Sequence, residues 1–88
     1  MFKIRKKREL VFVNKFDETV QCQIKKRALK VIRENGYDFF SASVILEVNH
    51  PKINLMQAGI EDVIEFIEEY GVTLDYMFGR TDTPYYTM

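Results

Sequence analysis

The chain has 88 residues, 47% of them hydrophobic and 30% charged, a composition typical of one small globular domain with no room for a second. One cysteine and one histidine exclude an internal disulfide and a zinc site of recognisable ligand spacing. Thirteen basic residues balance thirteen acidic ones, yet residues 1–36 carry a net charge of +7 and residues 37–88 carry −7. Such a division predicts a basic surface that binds a polyanion, an acidic surface that binds another partner, or contact between the two surfaces.

Residues 1–16 form a basic N-terminal extension. Five of the six residues from 3 to 8 are positively charged, namely Lys3, Arg5, Lys6, Lys7 and Arg8. The residues from Leu10 to Val13 favour one short edge strand. This apolar run is too short for a signal-peptide core or a membrane span, so we expect a cytoplasmic protein that does not engage a membrane.

Three helices are predicted in the first part of the domain. The first runs from Asp17 or Thr19 to Asn35 and ends at Gly36, because its apolar residues fall at helical spacing. The second is capped by Asp38 and extends to about Leu46, before a short turn over residues 47–49. The third begins after Asn49 or His50 and ends near Gly59, since Pro51 fits only in a first turn.

Two further helices complete the expected domain. The fourth has an apolar face and an acidic outer face; the apolar residues are Ile60, Val63, Ile64 and Ile67. Gly71 ends it, Thr73 caps a short fifth helix, and Gly79 stops that one. The sequence therefore predicts an all-α, compact five-helix domain over residues 17–82, followed by a tail at residues 83–88.

Nothing in the sequence points to catalysis. There is no glycine-rich phosphate loop and no nucleophile paired with a histidine base and an orienting residue. Paired carboxylates occur on one amphipathic helix that faces water. We therefore expect a protein that is not an enzyme and that needs no metal or other cofactor.

Two segments carry a resemblance to a known family. Residues 71–82 read G-V-T-L-D-Y-M-F-G-R-T-D, and residues 36–59 precede them with Leu46, Val48, Ile53 and Gly59 at the positions of a helix-turn-helix core. Together they resemble the Cro and lambda-repressor-like helix-turn-helix regulators of bacteria and phages. The family closes its domain with a string of the form G-V-S-L-D-Y-L-L-G-R-T-D, from which the chain differs only by conservative changes. Glu47 departs from the family, since it stands where the turn usually has glycine.

The resemblance implies a sequence-specific DNA-binding transcriptional regulator whose recognition helix, residues 49–58, enters the major groove. It places six residues at the groove, namely Asn49, His50, Pro51, Lys52, Asn54 and Leu55. The basic extension, the first helix and Ser41 are expected to contact phosphates. For Lys52 and Asn54 the alternative is an ordinary solvated helix surface, and for His50 it is a local cap. The family also implies a homodimer on double-stranded DNA, although no dimer surface is identifiable from the sequence.

A second interpretation stays open beside DNA binding. Four residues of the second helix are apolar at positions that are usually polar and exposed in the family, namely Phe39, Phe40, Val44 and Ile45. Either Leu10, Phe12 or Phe16 of the extension covers this surface, or a partner protein does. The alternative function is a protein-binding module on the same fold, such as an antirepressor or inhibitor, that docks through Phe39, Phe40, Pro51 and Leu55.

Overall fold

The fold is all-α over the part of the chain that the structure describes. A computed structural model describes residues 16–85, in which five α-helices follow one another without a strand. They are α1 (Glu18–Glu34), α2 (Phe39–Asn49), α3 (Pro51–Asn54), α4 (Ile60–Tyr70) and α5 (Leu74–Met77). The strand predicted near Leu10 and most of the basic extension lie outside the described residues. No helix within residues 16–85 has the length and apolar character needed to cross a bilayer.

The longest helix, α1, forms one wall of the core. The side chain of Asp17 accepts a hydrogen bond from the backbone N–H of Val20 at 2.9 Å and so caps the first turn. Ile24, Ala28, Val31 and Ile32 follow at helical spacing and are fully buried. The chain leaves the helix at Gly36, whose φ of 106° is a conformation that favours glycine. The predicted position of this helix is confirmed.

The boundary between α2 and α3 differs from the prediction. The expected turn at residues 47–49 is helical, since α2 extends to Asn49 and the N–H of His50 still bonds to the carbonyl oxygen of Leu46 at 2.8 Å. Nothing between Leu46 and Asn49 interrupts this hydrogen bonding, and Pro51 is the first residue that cannot continue it. His50 alone connects the two helices, with φ −137° and ψ 64°. Glu47, which stands where the turn of the family usually has glycine, therefore lies inside a helix and does not adopt a positive φ.

The third helix is also shorter than predicted. It occupies a single turn and ends at Asn54 rather than near Gly59. Met56 adopts a φ of 61°, the only positive value of a residue other than glycine among residues 16–85. Because the helix ends at Asn54 and Met56 is left-handed, the predicted recognition helix over residues 49–58 divides into the end of α2, the turn α3 and a loop.

The last two helices begin and end at the residues expected. The N–H of Gly59 donates to the carboxylate of Asp62 at 2.8 Å at the start of α4, and Gly71 ends that helix with a φ of 72°. Thr73 caps α5, where its hydroxyl oxygen accepts the N–H of Tyr76 at 3.1 Å. On α4 the fully buried residues are Val63 and Phe66, whereas Ile64 is partly exposed. The buried face of α4 therefore includes Phe66 and leaves Ile64 partly exposed, which differs from the face predicted.

A buried glutamine ties the loop between α3 and α4 to α1. Gln21 is 3% exposed, and its amide makes a two-way contact with Ala58: Nε2 donates to the carbonyl oxygen at 2.8 Å, and Oε1 accepts the N–H at 3.0 Å. The same Nε2 also donates to the carbonyl oxygen of Phe16 at 3.3 Å. Ala58 lies outside any helix, so helical hydrogen bonding does not satisfy its buried N–H and carbonyl oxygen. The side chain of Gln21 provides both hydrogen bonds.

Candidate nucleic-acid interface

The corner formed by the end of α2 and by α3 presents most of the predicted groove-facing residues to solvent. Asn49, Pro51, Lys52 and Leu55 are exposed, and Asn54 is half-buried. Ile53 lies between them and is 1% exposed, so it anchors the corner in the core. Because α3 is a single helical turn, it directs only one side chain into the core and leaves its neighbours at least partly exposed.

His50 is not part of this exposed set, which corrects the prediction that it reaches base edges. It is 5% exposed, and its Nε2 lies 2.8 Å from Oε1 of Glu69 on α4. Because an ionised carboxylate only accepts hydrogen bonds, the ring nitrogen is the donor. The imidazole also meets the ring of Phe66 edge-on at 5.0 Å. His50 therefore fixes the α2–α3 connection to α4.

Carboxylates lie close to the only cation of the corner. A shallow pocket of about 190 Å³ is lined by residues of the corner, Lys52 among them, and by Asp62 and Glu65 of α4. Phosphate groups approaching this surface would meet negative charge as well as Lys52. Any strong affinity for a polyanion thus requires positive charge from another part of the protein.

Ser41 offers less to a phosphate than the resemblance implies. Its backbone N–H already donates to Oδ1 of Asp38 at 2.8 Å, which caps α2. This backbone hydrogen bond, followed by one to the Ser41 side chain, holds the pKa of Asp38 below its ordinary value. The N-terminus of α2 thus carries a carboxylate of its own, which binds the Ser41 N–H and competes with a phosphate for the half-buried Ser41 hydroxyl.

Positive charge occurs on the outer face of α1. Lys26, Lys30 and Arg33 are exposed at positions i, i+4 and i+7, whereas Arg27 is turned inward over the ring of Tyr76 at 4.3 Å. Arg27 also bonds to Asp82 at 3.1 Å. The predicted phosphate contacts Lys3, Arg5, Lys6, Lys7 and Arg8 lie outside the described residues.

An apolar row runs along the outside of α2. Phe40 is 75% exposed, Val44 42% and Val48 70%, and the spacing i, i+4, i+8 places the three on one helix face. Phe39 at the start of the helix is also exposed. Phe16, one of the residues considered as a cover, packs edge-to-face on Phe78 at 5.2 Å instead. The other two candidates, Leu10 and Phe12, lie outside the described residues.

Comparison with known proteins returns no match: no family model, no curated protein and no solved structure is similar to this chain. Within residues 16–85, no three His, Cys, Asp or Glu side chains come together as a metal site would require.

Proposed function

We propose that this protein is a sequence-specific DNA-binding transcriptional regulator that places the α2–α3 corner in the major groove. The observation that carries the proposal is the exposure of Asn49, Pro51, Lys52 and Leu55 around the buried Ile53. Reading of base edges requires exposed polar and apolar side chains such as those of this corner. The order of the helices and the resemblance of residues 71–82 to the regulator family support the same function.

Each exposed side chain of the corner has a chemically defined use in the groove. The ammonium group of Lys52 suits the O6 and N7 atoms of guanine, and the amides of Asn49 and Asn54 suit the N6 and N7 atoms of adenine. Leu55 can contact the methyl group of thymine. His50 takes no base in this proposal, because its side chain holds the corner in place through Glu69.

The basic extension and the outer face of α1 supply the phosphate contacts. Lys52 is the only cation of the corner and lies near carboxylates, so most of the affinity must come from the five positive charges at residues 3–8 and from the three exposed cations of α1. Each phosphate contact releases counterions and steepens the dependence of affinity on salt by about 0.9 in the logarithmic slope. Replacing all five with glutamine should therefore flatten that slope by up to about 4.5.

Fluorescence anisotropy with a labelled mixed-sequence duplex at about 50 and about 200 mM salt tests the proposal. We expect binding that weakens by orders of magnitude over this range. A duplex sequence selected for binding to the wild-type protein should bind less tightly to the Lys52→Gln variant. Arg80→Gln is the matched control, because it removes the same charge beyond the end of α5, where the side chain is exposed and pairs with Asp75. A folded protein without salt-sensitive binding would refute DNA recognition.

A second candidate function is protein docking, which the apolar row of α2 favours. We take a second copy of the chain as the occupant, because side chains at i, i+4 and i+8 can interdigitate with the same row across a two-fold axis. Sedimentation equilibrium should then show a dimer that Phe40→Asp converts to a folded monomer, whereas Asn49→Asp leaves it intact. A wild-type protein that stays monomeric up to high concentration would contradict this second candidate. Loss of the dimer without loss of duplex binding would separate docking from DNA recognition.

A further inference from the structure

The α2–α3 corner contains little helix that could hold its own shape. The helix α3 has four residues, and within residues 16–85 no side chain caps its start. A single helical turn is not stable by itself, because forming it fixes several residues in return for one hydrogen bond. The direction in which α3 presents its exposed side chains must therefore be set by contacts with the rest of the domain.

His50 is the residue that joins this turn to α2. Its N–H donates to the carbonyl oxygen of Leu46 at 2.8 Å, and its own carbonyl oxygen accepts the N–H of Asn54 at 3.1 Å. The backbone of His50 thus takes part in the hydrogen bonding of both helices, although its φ of −137° and ψ of 64° are not helical. A rotation at His50 therefore changes the angle between α2 and α3, and with it the positions of the exposed side chains on both.

The side chain of His50 is held from outside the corner. Its Nε2 donates to Oε1 of Glu69 on α4 at 2.8 Å, and its ring meets the ring of Phe66 edge-on at a centroid distance of 5.0 Å. The imidazole is 3% exposed and the Glu69 side chain 47%, so loss of the carboxylate would leave a buried donor without this acceptor. One carboxylate near the surface of α4 thus fixes the orientation of the residue that joins the two helices.

Two further contacts hold the corner against the domain. Ile53 is 1% exposed and packs in the core, and Ala58 in the loop after α3 bonds through both backbone groups to Gln21 of α1. Both contacts lie after the start of α3, whereas the contact between His50 and Glu69 lies at the junction itself. Loss of the Glu69 carboxylate should therefore change the orientation of the corner while the other two contacts keep it folded onto the domain.

We infer that Glu69 is a positioning residue that determines sequence specificity through His50, without a base contact of its own. This inference rests on the proposed binding of DNA by the α2–α3 corner. Hydrogen bonds to base edges require donors and acceptors at defined positions, whereas attraction to phosphates depends on charge and carries no sequence information. The Glu69 carboxylate therefore governs the discrimination between duplex sequences and has little effect on the affinity for duplexes of mixed sequence.

Two substitutions of Glu69 separate its hydrogen bond from its charge. Glu69→Gln and Glu69→Leu both remove the negative charge, but glutamine keeps an oxygen that can accept from His50 and leucine does not. Fluorescence anisotropy at one salt concentration gives the ratio of the dissociation constants for a mixed-sequence duplex and for a duplex selected with the wild-type protein. Glu69→Leu should lower this ratio about tenfold, the discrimination of roughly one base contact, and Glu69→Gln should keep it within about twofold of the wild type.

Glu68→Leu is the matched control, because Glu68 is exposed on the same helix and precedes the carboxylate that binds His50. The affinity for the mixed-sequence duplex should change equally in Glu68→Leu and Glu69→Leu, since each removes one negative charge. Only Glu69→Leu should lose discrimination. A folded Glu69→Leu protein that discriminates as well as the wild type would overturn the inference alone. A wild-type protein without salt-sensitive duplex binding would refute the proposed function, and the inference would fall with it.

NMR of the isotope-labelled wild-type protein tests the contact without any variant. His50 is the only histidine of the chain, so a long-range proton–nitrogen spectrum shows a single imidazole. We expect a protonated Nε2, because this nitrogen donates to Glu69. Backbone amide signals of residues 49–55 should also shift more in Glu69→Leu than in Glu68→Leu. An unprotonated Nε2 in the wild type would overturn the inference even if Glu69→Leu does not fold.

Discussion

The contact between Gln21 and Ala58 gives the sharpest test of how the interior is organised. Gln21→Leu keeps a side chain of similar size but removes both partners of the Ala58 backbone, whose N–H and carbonyl oxygen are buried. Each unsatisfied buried backbone group costs about 1–3 kcal/mol, and Ala58 would have two such groups. Burial of the apolar leucine side chain recovers part of this loss. We therefore expect the free energy of unfolding to fall by about 2–4 kcal/mol.

This loss is large for a chain of this size. A domain of 88 residues has a free energy of unfolding of about 4–13 kcal/mol. Urea unfolding followed by far-UV circular dichroism should show a midpoint lowered by about 2 M with an unchanged slope. In the wild type, hydrogen exchange at the Ala58 amide should also be slow, because Gln21 holds that N–H.

Gln57→Leu provides the control, since Gln57 is exposed in the same loop. Its effect should stay within about 0.5 kcal/mol, as for most surface substitutions. A Gln21→Leu protein as stable as this control would mean that Ala58 finds other hydrogen-bond partners. The reasoning about the buried amide would then be wrong.

Three further substitutions test local features of the fold. The buried hydroxyl of Tyr76 has no hydrogen-bond partner among residues 16–85, so Tyr76→Phe should leave the free energy of unfolding unchanged or raise it by up to about 1 kcal/mol in urea melts. Gly71→Ala should cost about 1–2 kcal/mol in the same assay, because its φ is 72° while the space around it is open. Asp38→Ala should destabilise the protein at neutral pH. The lowered pKa of Asp38 means that its contribution is present above the ordinary value of 3.8 and is lost as the pH falls through the folded-state value, so variant and wild type should converge in acid-titrated melts.

The ends of most helices could be predicted because they depend on local contacts. Asp17, Asp38 and Thr73 each accept a backbone N–H three residues ahead, and such caps are visible in the sequence as a polar residue before an apolar repeat. Gly36 and Gly71 mark helix ends for a similar reason, since both adopt a positive φ. These features need no knowledge of the tertiary structure.

The α2–α3 corner could not be predicted, because distant residues determine it. His50 is buried by contacts with Glu69 and Phe66, which are 19 and 16 residues away in the chain. Met56 takes a left-handed conformation that the sequence pattern assigns to glycine, so the early end of α3 carries no local signal. The prediction of a third helix that continues to near Gly59 followed from the start and stop signals of the sequence, in which Gly59 is the first glycine after Pro51.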